Sequence, residues 1–119
     1  MISFDVALLQ SIVDRSDAAI YAKDKNLTFI YVNPVVADLY GSDVGAMIGK
    51  KDIDFLTEEE AKKFNEVDHR VIASGKSEIV HGTIEILGKE YVFEDHKFQI
   101  DLKECMGIAG ISFLKPSQT

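Results

Sequence analysis

The chain has few of the features that mark secreted, disulfide-rich or membrane proteins. Its 119 residues include one cysteine, Cys105, two prolines and no tryptophan. A single cysteine excludes an internal disulfide and fits a reducing compartment. No apolar run approaches the ~20 residues needed to span a bilayer, and residues 1–20 lack the basic start of a signal peptide. These absences favour a cytoplasmic protein.

Positive charge is also scarce. Thirteen basic residues stand against 20 acidic ones, which gives a formal net charge of −7. Nucleic acids and anionic membranes are bound through basic surfaces, so this balance disfavours direct binding to either. The length predicts one domain, and a chain of this size can bury a core without disulfides or metals.

Most motifs of catalysis and metal binding are missing. The cysteine and the three histidines lack metal-ligand spacing (His69, His81, His96). There is no phosphate-binding glycine loop and no Gly-x-Ser-x-Gly sequence around a serine. The charged runs at 50–52 and 94–96 are interpreted as solvated. We therefore expect neither a metal site nor a catalytic residue.

What is present begins with a hairpin and a short helix over residues 18–41. Two short β-branched and aromatic segments, at 19–22 and 27–32, predict strands joined by a tight polar turn. Asn33 is a favoured N-cap, and Pro34 fits the first position of a helix. Gly41 can end that helix in the left-handed conformation.

A longer helix and three strands follow. Thr57 and Glu60 form a capping box that predicts a helix to about Ser74, ended by Gly75. Strands are predicted at 77–86, 91–102 and 105–114, and the last is apolar on both faces, as in a central strand. In the middle strand the apolar residues change parity across 94–97, which predicts a bulge or a bend.

One acidic residue of the longer helix falls on its apolar face. Helical periodicity places Asp68 among Ala61, Phe64 and Val71, whereas His69 lies to the side. A buried carboxylate must be paired, hydrogen-bonded or neutralised. We expect Asp68 to cap a backbone group, with contact to a bound ligand as the alternative, and we interpret His69 as a surface residue.

The order of these elements is similar to that of a known family. A strand, an Asp turn, a strand ending in Val32-Asn33, a short helix ending in Gly41 and the run Gly49-Lys50-Lys51-Asp52 resemble the PAS domain, a sensory module of signalling proteins. The resemblance implies an α+β fold with a five-stranded antiparallel sheet in the order 2-1-5-4-3, helices on one face and an N-terminal helix. The expected division is a helix at 1–17, the PAS domain at 18–115, and a tail or linker from 116 to 119.

The same resemblance implies a sensor or interaction module and not an enzyme. Such a module works as a homodimer and serves an output domain of a longer protein, for example a histidine kinase of a two-component system, a diguanylate cyclase or a transcription factor. Apolar residues at helical spacing predict a helix over residues 2–15. This helix packs either on its own domain or, as the resemblance implies, against a second copy through Val6, Leu9, Ile12 and Val13.

The resemblance also implies a cavity between the sheet and the helices. The residues expected to line it and to contact a small ligand are Tyr21, Tyr31, Tyr40, Phe64, Asp68, Val71, Phe98 and Ile111. The default is a dimer without a ligand or cofactor, followed by a small organic ligand and then haem. Haem on His69 is disfavoured because that residue points away, and no cysteine matches the reactive one of the flavin branch. The alternative is a small α+β enzyme with Asp68 or His96 as general base.

Overall fold

A five-stranded antiparallel sheet forms one layer of the domain. The computed structural model describes residues 5–117. Its strands are β1 (Ala19–Lys23), β2 (Phe29–Val32), β3 (Glu78–Ile86), β4 (Lys89–Asp101) and β5 (Met106–Pro116). Their order across the sheet is 2-1-5-4-3, which confirms the predicted fold and places β5 at the centre.

The helices begin and end where the sequence places their caps. They are α1 (Val6–Asp14), α2 (Pro34–Leu39), α3 (Val44–Met47) and α4 (Glu58–Ser74), with a 3-10 turn at Asp52–Asp54. Asn33 caps α2, the Thr57–Glu60 box caps α4, and Gly75 ends α4 with a φ of 73°. The predicted start of the first helix at Ile2 lies outside the described residues, as do positions 118–119 of the tail. The division into 1–17, 18–115 and 116–119 stays a prediction.

The pairing of strand β4 is uninterrupted through residues 94–97, the segment in which a bulge or a bend was predicted. Its pairing with β3 continues residue by residue from Tyr91 to Lys97, and its pairing with β5 continues to Asp101. The change of apolar parity has another cause. Phe93, Asp95 and Lys97 all point inward and are buried, so charged side chains take the inward positions where apolar ones were expected.

The core lies between the sheet and the helices α2, α3 and α4. Two of its clusters surround Phe29 and Phe93, and a third joins Val71 of α4 to Ile108 of β5. Helix α1 stands apart because it contributes no buried residue. No helix within residues 5–117 combines the length and the apolar character that crossing a membrane requires.

Candidate functional site

A cavity of about 70 Å³ lies between the inner face of the sheet and the helices. A single water molecule needs only about 10–15 Å³, so the space exceeds that need several-fold. Its lining is mostly apolar and aromatic, with the rings of Tyr21, Phe29, Tyr40, Phe64 and Phe93 around it. Four charged side chains also reach it from the sheet and the 3-10 turn: Lys23, Asp52, Asp95 and Lys97. An apolar space with a few convergent polar groups is typical of small-molecule sites.

The polar side chains form a continuous row of alternating charge. Lys23 Nζ lies 2.5 Å from Asp52 Oδ2 and 2.7 Å from Asp68 Oδ2. Lys97 Nζ lies 2.7 Å from the other oxygen of Asp68 and 3.3 Å from Asp95 Oδ2. Each lysine therefore stands between two aspartates, in the order Asp52, Lys23, Asp68, Lys97, Asp95. Asp68 is the centre of the row and is fully buried.

The hydroxyl of Tyr21 contacts the last two members of this row, Lys97 and Asp95. The Tyr21 hydroxyl accepts a hydrogen bond from Lys97 Nζ at 2.7 Å and donates one to Asp95 Oδ2 at 2.9 Å. The other oxygen, Asp95 Oδ1, is buried and accepts no hydrogen bond from any residue between 5 and 117. A buried carboxylate oxygen without a donor is unusual because its desolvation is uncompensated.

The ionisation of these groups follows from burial and from their neighbours. Burial raises the pKa of Asp68, but the charges of Lys23 and Lys97 outweigh that effect and hold the pKa below its ordinary value. Burial lowers the pKa of Lys97, but Asp68 and Asp95 outweigh it and hold that pKa above its ordinary value. Burial and the nearby carboxylate of Asp95 raise the pKa of Tyr21 well above the usual range. Asp68 and Lys97 are therefore charged at neutral pH, and Tyr21 keeps its hydroxyl proton.

Aromatic rings surround the two ammonium groups. Lys23 Nζ lies 5.2 Å from the ring centroids of both Tyr21 and Phe29. Lys97 Nζ lies 5.2 Å from the Tyr21 centroid and 5.4 Å from that of Phe64. Rings at this distance attract a cation through their quadrupole, most strongly where water is excluded. They stabilise the lysines without adding a negative charge.

Three of the eight residues predicted to contact a ligand line the cavity, namely Tyr21, Tyr40 and Phe64. Asp68 lies behind the lining, between the two lysines. Val71 packs with Leu27 and Ile108 in a separate part of the core. The remaining three belong to the outer face of the sheet, because their strand positions either follow an inward residue or pair with an outward one: Tyr31, Phe98 and Ile111.

The polar row corrects three expectations. Asp52 and Asp95 are buried, whereas the charged runs that contain them were interpreted as solvated. Asp68 binds two lysines instead of capping a backbone group. Lys23 and Lys97 were not singled out at all. The signal was their parity, because both fall on the strand positions that alternate inward with Tyr21 and Phe93.

The histidines and the cysteine lie apart from this row. His69 is exposed on α4, and Cys105 is half-buried just before β5. On the outer face of the sheet, His96 Nε2 lies 2.6 Å from Glu94 Oε2, while His81 lies 3.6 Å from the other oxygen of Glu94. Among residues 5–117, no three His, Cys, Asp or Glu side chains are grouped so as to hold a metal ion.

Helix α1 is tied to the sheet at its C-terminal end. The Tyr31 hydroxyl donates to Asp14 Oδ1 at 2.5 Å. The buried amide of Asn33 donates to the carbonyl oxygens of Val13 at 3.0 Å and Ala18 at 2.8 Å. Its Oδ1 accepts from the backbone N–H of Ile20, at 3.1 Å. Asn33 therefore joins the end of α1 to β1, the strand that carries Tyr21 and Lys23 into the cavity.

Solved structures with the same fold are numerous. The VqmA–ligand–DNA complex of Vibrio cholerae superposes with a TM-score of 0.83 at 20% identity, over 94% of this chain and 52% of that one. The VqmA dimer without target DNA gives 0.82 at 20%, over 98% and 52%. The PAS domain of nitrogen regulation protein NR(II) from Vibrio parahaemolyticus gives 0.73 at 15%, over 92% and 98%. The chain thus spans about half the length of VqmA.

The sequence gives an independent assignment. No protein with a curated description matches it. The family model described as the PAS fold matches residues 13–112, most of the chain, from the end of α1 to the middle of β5. The sheet order and the structural neighbours agree with that match. The chain belongs to the PAS family.

Proposed function

We propose that this chain is the sensory module of a signalling or transcriptional regulatory protein, and that it binds a small molecule in the cavity between sheet and helices. The observation that carries the proposal is the cavity itself, which is largely apolar but is lined by Asp95, a buried carboxylate whose Oδ1 accepts no hydrogen bond from the described residues. VqmA, which has the same fold, forms a complex with a ligand and DNA. This support favours a bound ligand over the ligand-free dimer expected from sequence.

Hydrogen bonds connect the strand that lines the cavity to helix α1. Tyr21 and Lys23 line the cavity from β1, and β1 is bonded through Asn33 to the end of α1. A ligand that favours one position of β1 therefore favours one position of α1. Only such a difference in affinity between two arrangements can shift their populations.

The experiment is native mass spectrometry and an absorbance spectrum of the purified protein and two variants. Ala19 lines the cavity, so Ala19→Leu places three more carbons in it. Ala73→Leu makes the same change on the exposed surface of α4. We expect an added small mass on the wild type and on Ala73→Leu, and none on Ala19→Leu.

The spectrum addresses cofactors. Because His69 is exposed, we propose that no haem is bound, and we expect neither a Soret nor a flavin band. A coloured protein would contradict that part of the proposal. A wild type without added mass, or the same mass on Ala19→Leu, would contradict the ligand proposal. The remaining hypothesis would then be a module that acts through protein contacts without a ligand.

We also propose that the module dimerises through α1. Of the four residues predicted at the contact, Val6, Leu9 and Ile12 are exposed by 79%, 51% and 58%, whereas Val13 is half-buried. Apolar side chains exposed together on one helix face are typical of an interaction surface. The same fold occurs in the VqmA dimer, which supports a second copy as the partner.

Light scattering after size exclusion tests the dimer. Ile12→Asp places a charge in the apolar stripe, and we expect a monomer at micromolar concentration. Ser11→Asp adds the same charge to an exposed position about 100° around the helix from Ile12, and we expect it to remain dimeric. A dimeric Ile12→Asp protein would place the contact elsewhere.

The output and the location are part of the same proposal. NR(II) and VqmA are regulatory proteins that contain this fold, and we propose an output region of similar kind, with any nucleic-acid binding outside this acidic domain. The single cysteine favours a cytoplasmic location. We propose a sensor and not an enzyme, because the low pKa of Asp68 makes it a weak general base and His96 lies on the outer face, outside the cavity.

A further inference from the structure

The row of charged side chains at the cavity is unbalanced. It contains two lysines and three aspartates, so by formal charge it has one more negative group than positive groups. Because the charges alternate, both ends of the row are aspartates. An excess charge in a buried position is costly unless a partner compensates it.

The end at Asp95 is the less satisfied one. Its side chain is 8% exposed, and Oδ1 has no donor among the residues that the structure describes. The other oxygen shares Lys97 with Asp68, and the contact to Lys97 is the longest in the row, at 3.3 Å. A positive group placed against Oδ1 would continue the alternation and satisfy the open oxygen.

The surroundings of the Asp95 side chain fit a cation with an apolar body. Asp95 lines the cavity together with Phe64, Phe93 and Tyr40. Aromatic faces attract positive charge in desolvated sites, and they supply apolar contact to a hydrocarbon portion. An anion, in contrast, would face the excess negative charge, with both lysines already engaged by aspartates.

We propose that the ligand of this cavity is a small organic cation, such as an amine, an amidine or a protonated nitrogen heterocycle on an apolar group, whose N–H donates to Asp95 Oδ1. The inference rests on the proposed sensory function and names the chemical class that the module would detect. It makes Asp95 the residue that distinguishes a cation from a neutral molecule of the same shape.

The test uses benzylamine, which is protonated at neutral pH, and benzyl alcohol as its neutral analogue. Dissociation constants are measured by calorimetry for the wild type, for Asp95→Asn and for Glu94→Gln. Asp95→Asn removes the charge and keeps an oxygen for Tyr21. Glu94→Gln makes the same change one position away, on the outer face of β4. A hydrogen bond to a charged group predicts a preference of roughly tenfold or more.

We expect the wild type and Glu94→Gln to bind benzylamine at least about tenfold more tightly than benzyl alcohol, and Asp95→Asn to lose that preference. The wild-type comparison stands even if Asp95→Asn folds poorly. An equal or reversed preference in the wild type, a preference retained in Asp95→Asn, or binding of neither probe would overturn the cation assignment. The sensory function is judged separately, by whether the native protein loses its bound mass in Ala19→Leu.

Discussion

Asp68 gives the sharpest test of how the buried row stabilises the domain. Its two oxygens bind two different lysines at 2.7 Å, and its side chain is completely buried. Removing one partner of a buried ion pair typically costs about 3–5 kcal/mol, because the remaining charge stays desolvated. Asp68→Asn keeps the shape of the side chain and removes the charge, so we expect a loss in that range.

Such a loss is a large part of the free energy of unfolding of a domain, which is typically about 5–15 kcal/mol. For 119 residues, 1 kcal/mol corresponds to about 4 °C in Tm. Asp68→Asn should therefore lower Tm by about 12–20 °C. Urea unfolding followed by circular dichroism at pH 7 measures the free energy directly. Glu66→Gln is the matched control, since Glu66 is an exposed acid on the same helix.

A double-mutant cycle separates the ion pair from local effects on the helix. Combining Asp68→Asn with Lys97→Met should cost less than the sum of the single changes, with a coupling of about 0.5–3 kcal/mol for contacting residues. A loss below about 1 kcal/mol for Asp68→Asn, or strictly additive costs, would refute the account of the row as a cooperative unit.

The same groups predict the pH dependence of stability. The pKa of Asp68 is lowered in the folded state, so its stabilisation is present above the unfolded value of about 3.9 and is lost as pH falls through the folded pKa. The pKa values of Lys97 and Tyr21 are raised, so their stabilisation is present below about pH 10 and is lost as pH rises further. We expect a plateau in the free energy of unfolding from about pH 5 to 9, and a shallower acid limb in Asp68→Asn. An unchanged acid limb would contradict the assignment.

Two further changes test the link to α1 and the close approach of two strands. Asn33→Ala removes a buried amide that bonds the carbonyl of Val13 and the N–H of Ile20, and should cost at least about 2 kcal/mol in urea unfolding, whereas Asn26→Ala on the exposed turn should cost under about 0.5. Gly110→Ala would drive a Cβ into the ring of Tyr21 and should cost about 1–3 kcal/mol. The control Gly45→Ala lies in α3, where a Cβ would meet only Asp43 Oδ1 at an ordinary contact distance of 3.5 Å, and should be neutral or stabilising by up to about 1 kcal/mol. Equal effects within either pair would contradict the structural explanation.

The sequence predicted the elements whose signals are local. The caps at Asn33 and Thr57 and the glycine at position 75 act within one turn of chain, so their residue types alone indicate where helices begin and end. Strand β5 was recognisable as central because it is apolar on both faces. The sheet order came from the family resemblance, not from these local signals.

The polar row could not be found in the same way because its members come from four separate segments of the chain. Lys23 and Asp95 are ordinary surface residues by type, and they pair with different partners, Lys23 with Asp52 and Asp68 and Asp95 with Lys97. The hydrogen bond that joins β1 to Asp95 comes from Tyr21, which lies 74 residues away in the chain. The available signal was an inconsistency. The apolar alternation of β4 fails at Asp95 and Lys97, and a charged residue on an inward position implies a buried partner of opposite charge.

The measurement that tests the central claim most directly is amide hydrogen exchange of α1 with the cavity filled and emptied. The protein as purified is compared with the same protein after unfolding, dialysis and refolding, which removes a bound small molecule. We predict that removal changes the exchange of β1 and of residues 6–14 together, since Asn33 joins them. A change confined to the cavity, with identical exchange in α1, would contradict the proposal that this domain passes on what it binds.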